Sequence, residues 1–316
     1  MPSRRNLLLT AGGLAATLAR PSLLRAATWP DGPLTLIIPW TAGGGTDTIG
    51  RALAPVMGEL LGTTVTVLNR PGGNGVVGHM QIRQSPHDGL TFGVIGPQLV
   101  AAPLLGPTPV TWQDLQPLAM LKADVLSVTV GGRTPWRTLP ELLAFARANP
   151  EAVRMGNTGQ GSSVHIAVLE LEKKAGIALT HVPYAGAAPV VRDMLGGHLD
   201  ATMASAVELR GQVASGDLRM LAVTGRERHR LFPEVPTAAE QGLDVVVSNW
   251  SGLALPKGVP EPIQRRLEET VRLAMADPRF TSVMAQQGFD MRFRGIADFT
   301  AFLHEADTQS RTYFRS

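Results

Sequence analysis

Apolar and polar positions along this chain follow two alternating periods. Residues 34–38 (Leu-Thr-Leu-Ile-Ile), 64–68, 91–95 and 125–130 are short apolar and β-branched runs, which predicts strands. Residues 46–61 instead repeat at helical spacing, with Ile49, Leu53, Val56 and Leu60 on one face. A short helix is expected after the turn at 69–75. Further helices are expected at 139–148, 189–195, 260–276 and 296–312, and a strand, turn and helix across 153–175. Strands follow at 178–182, 200–204, 220–224 and near 245–250. Strands alternating with helices mean an α/β fold with largely parallel pairing. Pro55 inside the first helix removes a hydrogen bond to the Arg51 carbonyl at a cost of roughly 3 kcal/mol, which predicts a kink or a helix in two pieces.

Two segments combine a strand, a glycine-rich turn and a helix start. The first is Ile38-Pro39-Trp40-Thr41-Ala42-Gly43-Gly44-Gly45-Thr46-Asp47; the second is Met155-Gly156-Asn157-Thr158-Gly159-Gln160-Gly161-Ser162-Ser163. A turn without side chains leaves the first N–H groups of the following helix bare, and with the helix dipole these make an anion site. Two such turns predict a molecule of two lobes with a small anion between them. The division expected is a leader at 1–27, lobe 1 at 28–127 plus 248–316, and lobe 2 at 128–247. Chain crossings near 125–130 and 246–252 would form a hinge.

Charge changes this picture only at the N-terminus. The chain has 29 Lys and Arg against 26 Asp and Glu. Ser3-Arg4-Arg5-Asn6-Leu7-Leu8, the mild apolar stretch that follows, and Arg20 and Arg25 before Ala26-Ala27 read as a twin-arginine export leader. Without those four arginines, 25 basic residues face 26 acidic ones. No basic stripe calls for nucleic acid. There is no cysteine, hence no disulfide and no lipid-bearing cysteine. A soluble periplasmic protein is expected.

The candidates for catalysis fail on spacing. Gly43-Gly44-Gly45 followed by Gly50 is not a dinucleotide fingerprint, and no Walker lysine follows. Gly161-Ser162-Ser163-Val164-His165 does not fit the G-x-S-x-G nucleophile elbow. The seven histidines (79, 87, 165, 181, 198, 229 and 304) form no metal-ligand pattern, so neither metal nor cofactor is expected. Ser162 and Thr46 read as N-caps, Asp47 as a first-turn acid that also accepts from a ligand or bridging water, and His165 as structural. Glu170 and Glu172 beside Lys173 and Lys174 read as a solvated helix end. Trp40, directly after a strand, and Tyr184, at a strand-to-helix junction, are candidate cleft walls.

Several of these segments, with others in the same order, resemble the solute-binding proteins of tripartite tricarboxylate transporters, the Bug family. They are Trp29-Pro30, the first loop through Asp47, Asn69-Arg70-Pro71-Gly72, the second loop from Gly156 through His165, and His181-Val182-Pro183-Tyr184. Leu195-Gly196-Gly197-His198-Leu199-Asp200, Leu221-Ala222-Val223-Thr224 and Pro233-Glu234-Val235-Pro236-Thr237 complete the set. The resemblance implies a two-lobed periplasmic binding fold of type II that closes on an organic carboxylate. It also implies that the carboxylate is held by Thr41, Ala42, Gly43, Gly44, Gly45, Thr46 and Asp47 from one side. From the other it is held by Thr158, Gly159, Gln160, Gly161, Ser162 and Ser163. Trp40 stands where the family has Phe, and Ala204 with Ser205 follows where it often has an acid, so the ligand's far end is left open. The expected protein is a monomeric receptor that presents its ligand to membrane transporter subunits or to a sensor kinase. A periplasmic enzyme acting on a small acid is the reading from another class.

Overall fold

The computed structural model describes residues 29–184 and 186–314; the leader expected at 1–27 lies outside them. The first half opens with β1 (Leu34–Ile38), whose side chains are almost all buried, and α1 (Gly45–Leu61). It continues through β2 (Val65–Asn69), α2 (Val76–Gln84), β3 (Thr91–Ile95), α3 (Pro97–Leu105) and the long β4 (Leu115–Val125). Helix α1 stays in one piece across Pro55. Both Pro55 and Arg51 are exposed, so the carbonyl that loses its partner faces water. The buried stripe of α1 runs through Ile49, Leu53, Val56, Met57 and Leu61; Leu60 is 47% exposed and lies off it.

The second half holds β5 (Ser127–Gly131), α4 (Leu139–Ala148), β6 (Arg154–Asn157), α5 (Ser163–Ala175) and β7 (Thr180–Pro183). It ends with α6 (Ala187–Leu195), β8 (Ala201–Thr202), α7 (Arg210–Ala214) and β9 (Leu218–Val223). The chain then returns through β10 (Ser248–Pro256), α8 (Glu261–Ala276), α9 (Pro278–Gln287), β11 (Met291–Arg294) and α10 (Ile296–Phe314).

Two sheets result, in the orders β11-β4-β10-β3-β1-β2 and β7-β6-β8-β5-β9. Among the named strands, pairing is parallel for β1 with β2 and β3, and for β6 with β7 and β8. The strands that enter and leave the crossing run antiparallel to their neighbours, so each sheet is mixed rather than mostly parallel. Each sheet has its own apolar core, one around Leu36, Leu53, Phe92 and Leu253, the other around Val128, Leu142, Val168 and Leu221.

At the crossing, β4 passes into β5 through Leu126. Thr224, just after β9, ties that point to the returning chain. Its N–H donates to the Leu126 carbonyl (2.8 Å), and its hydroxyl accepts from the Leu126 N–H (3.2 Å). The same hydroxyl reaches the Val247 carbonyl at 2.7 Å. One threonine thus links both chain passages between the halves.

Candidate functional site

A cavity of about 810 Å³ opens between the two halves. From the first half it is lined by Trp40 and Thr41 after β1, by the turn 71–75, by His79 of α2, and by Gln98, Leu99, Ala102 and Leu105 of α3. From the second half come Thr158, Gly159 and Gln160 after β6, with Tyr184 and Gly186 after β7. These walls lie at or just beyond the C-terminal ends of parallel strands, where open α/β sheets leave a crevice. Asn74 Nδ2 donates to the Gln160 carbonyl across the gap at 3.1 Å.

Six of the residues nominated from sequence therefore line this one cavity, Trp40 and Thr41 from the first half and Thr158, Gly159, Gln160 and Tyr184 from the second. The others stand behind it. Ala42, Gly43, Gly44, Gly45, Thr46 and Asp47 do not line the cavity. The turn is partly closed by its own helix, because Asp47 Oδ2 accepts from the Gly43 N–H at 2.9 Å. The Asp47 carboxylate also takes Arg51 Nε (2.9 Å) and Asn69 Nδ2 (2.9 Å). Burial raises that carboxyl, but the hydrogen bonds from Arg51, Gly43 and Asn69 outweigh it and hold it below the usual value. Asp47 is thus engaged within the protein. Gly44, the N-cap of α1, has no side-chain cap, and among the described residues the N–H groups of Gly44, Gly45 and Thr46 meet no protein acceptor.

The second loop is closed in a similar way. Asn157 Oδ1 accepts from the Gly159 N–H (3.0 Å), and the Gly161 N–H donates to His165 Nδ1 (3.2 Å). Ser162 is 1% exposed, and its hydroxyl accepts from the His165 N–H as the N-cap of α5. Ser163 donates to Asn249 Oδ1 (2.7 Å) on the returning strand and faces a different cavity, of about 600 Å³, beside Arg226, Arg230 and Arg292. Ser205 is buried at the crossing, bridged to Leu126. Gly161 has φ +72°, and a Cβ there would meet the Ala101 Cβ of α3 at 2.7 Å, so the halves touch at this point.

Among the described residues, no Lys, Arg, Asp or Glu side chain lines the 810 Å³ cavity. Its histidine, His79, is 1% exposed, and desolvation pulls its pKa down to about 4, so the ring is neutral. Tyr184 donates its hydroxyl to Asp193 (2.7 Å), which leaves its ring for the wall. Trp40 meets the His79 ring edge-on at 5.9 Å. Sequence reasoning did not single out His79, Asn74, Gln98 or Leu105. The glycine turn at 72–75 marks the place of the first two, but nothing in the apolar stretch 97–105 marks the others. His165, lowered to about 4 by desolvation and then by His181, accepts from a backbone amide and is no base for Ser162. Among the described residues no group of His, Asp or Glu is arranged to hold a metal ion.

Comparisons with known proteins agree with this architecture. Residues 49–313 match the model of the tripartite tricarboxylate transporter family receptor. The BugT protein of Bordetella pertussis is 31% identical over 89% of this chain and 88% of its own. The crystal structure of a ligand-free TctC solute-binding protein from Polaromonas is 32% identical and superposes with a TM-score of 0.77 over 90% of this chain and 99% of that one. A protein of R. palustris solved with adipate is 25% identical, with a TM-score of 0.80 over 90% and 98%.

Proposed function

The chain belongs to the tripartite tricarboxylate transporter receptor family, a family of binding proteins rather than enzymes, and on that premise we propose that it captures a small organic carboxylate in the periplasm and delivers it to a membrane transporter. The observation that carries the proposal is the cavity walled jointly by Trp40 and Thr41 of one half and by Thr158–Gln160 of the other. A ligand that bridges both walls stabilises the closed arrangement by contacts absent in an open one, and only such differential contacts shift the equilibrium. The hydroxyls of Thr41 and Thr158 and the amides of Thr158 and Gln160 would hold the carboxylate, with the bare N-terminus of α1 adding a favourable field behind Thr41. No helix among the described residues is long and apolar enough to cross a membrane.

A thermal-shift screen of mono-, di- and tricarboxylates, amino acids and aromatic acids tests this. A ligand at about 100 times its Kd adds roughly 2.7 kcal/mol, which lifts the melting temperature by about 4–10 °C for a protein of this size. Binding should also change the emission of Trp40, and that change should vanish in Trp40→Phe. A screen in which every acid leaves the melting temperature unmoved would overturn the proposal, as would chemical conversion of a bound acid by the purified protein.

A further inference from the structure

The wall that the first half gives to the cavity is pinned at its two ends. Strands β1 and β2 pair with Ile38 opposite Asn69, and the Arg70 N–H gives the Ile38 carbonyl the last bond of that ladder (2.8 Å). Trp40 and Thr41, which line the cavity, come just after it. Among the described residues Thr41 and Ala42 make no hydrogen bond of their own. On one side of them the Trp40 carbonyl accepts from Asn69 Nδ2 (3.1 Å), and on the other the Gly43 N–H donates to Asp47 Oδ2 (2.9 Å).

Both pins share one support. Asn69 Nδ2 also donates to Asp47 Oδ1 (2.9 Å), Arg51 Nε donates to Asp47 Oδ2 (2.9 Å), and Arg51 Nη2 donates to Asn69 Oδ1 (2.9 Å). Three side chains thus close a ring, from the first turn of α1, its second turn and the end of β2. Within it the charges of Asp47 and Arg51 offset each other. None of the three residues lines the cavity. Resting on the receptor reading, we propose that Asp47, Arg51 and Asn69 are positioning residues: their ring holds Trp40 and Thr41 in the shape that meets the carboxylate, and touches no ligand itself. A wall already held in its bound shape spares the ligand the cost of ordering it. The acid at the start of α1 thereby serves the capture of another acid without meeting it.

Two measurements on the whole protein test this. The first is hydrogen exchange without ligand. Exchange across residues 39–47 should rise in Asn69→Ala and Asp47→Asn, while β1 and β3 stay protected. The second is isothermal titration with succinate, adipate, citrate and benzoate. Asn69→Ala leaves the charge unchanged, yet the acids that bind should bind about tenfold or more weakly, the cost of ordering one backbone residue on binding. Asp47→Asn is sharper. Removing a negative charge near an anion site tightens binding by Coulomb attraction alone. In the ring, however, either carboxylate oxygen replaced by an NH2 group confronts a donor, and turning the Asn69 amide over only moves the conflict to Arg51 and Trp40. Asp47→Asn should therefore also bind about tenfold more weakly, by the same ordering cost. Arg51→Lys, at an exposed position, keeps the charge but not the planar fork that spans Asp47 and Asn69, and should fall between these variants and the unmodified protein. Melting curves establish that each variant folds. Tighter binding by Asp47→Asn overturns the inference, and so does unchanged exchange and affinity in Asn69→Ala and Arg51→Lys; both leave the receptor reading standing. Failure of all four acids to bind the unmodified protein overturns the receptor reading, and the role given to the ring with it.

Discussion

His79 ties stability to pH in a definite direction. Its ring is 1% exposed and its pKa falls from 6.5 to about 4 through desolvation, against a raising contribution from the Val94 carbonyl. The unfolded chain takes up a proton at this position as pH drops through 6.5, whereas the native state does so only near 4. Between those values the unfolded state binds more protons, so stability falls as pH falls, by up to about 1.4 kcal/mol per unit and on the order of 3 kcal/mol in all. Above pH 6.5 the group has no effect on the slope. Urea midpoints from pH 7.5 to 4.5 should therefore fall less steeply in His79→Phe, which keeps a ring against Trp40 and cannot titrate. Parallel slopes would show that the native ring protonates as freely as the unfolded one. Nothing in the sequence separates His79 from the other histidines. Its burial comes from the fold of α2 against β3, which local spacing does not encode. Glu170 and Glu172 show the same limit. Read as a solvated helix end, they instead meet Tyr313 from α10 and cap the Leu179 N–H, because a distant helix and the next strand cover them.

Elements were legible where two periods met cleanly. Strands β1 and β3 and helix α4 start and stop where the pattern puts them, since Pro33 and Pro39 flank β1, Gly89 and Gly96 flank β3, and Thr138 and Asn149-Pro150 bound α4. Strand β4 was seen only at its end. Its 11 residues are buried on both faces over most of their length, so no alternation marks them, and Lys122 and Asp124 look like a polar break. They are in fact a buried ion pair, 3% and 2% exposed, on one face of the strand at i and i+2. Asp124 also accepts the Asp290 N–H (3.0 Å), and Lys122 lies over the Phe289 ring, so both charges are compensated. Removing one partner strands the other. Lys122→Met should cost about 3–5 kcal/mol in urea unfolding, and adding Asp124→Leu should recover part of that loss. Equal stability of Lys122→Met and the unmodified protein would mean that water reaches Asp124. Helix α3 was missed for a related reason: Pro-Gln-Leu-Val-Ala-Ala-Pro-Leu-Leu has almost no polar face, because its sides serve the core, the cavity and the other half at once.

At the scale of the molecule, α3 is where the two halves touch. Ala101 is fully buried, and its Cβ lies 2.7 Å from where a side chain on Gly161 would begin. The contact therefore works only while both residues stay small. The second glycine turn, read from sequence as an anion loop, has a further use here as the flat surface against which α3 rests. Gly161→Ala probes this with an added cost, since φ +72° is strained for any residue with a Cβ. Ala101→Leu probes it without backbone strain: the larger side chain fits when the halves part and clashes when they meet. The variant should bind the preferred acid about tenfold or more weakly, since part of the binding energy is spent on forcing closure against the wedge. Small-angle scattering should show the unmodified protein compacting on addition of ligand and Ala101→Leu compacting less at equal saturation. The ligand-free melting temperature should change little, because the separate cores of the two sheets are untouched. If Ala101→Leu binds and compacts like the unmodified protein, the Ala101–Gly161 contact is not where closure stops, and the limit must lie at the Asn74–Gln160 bridge instead.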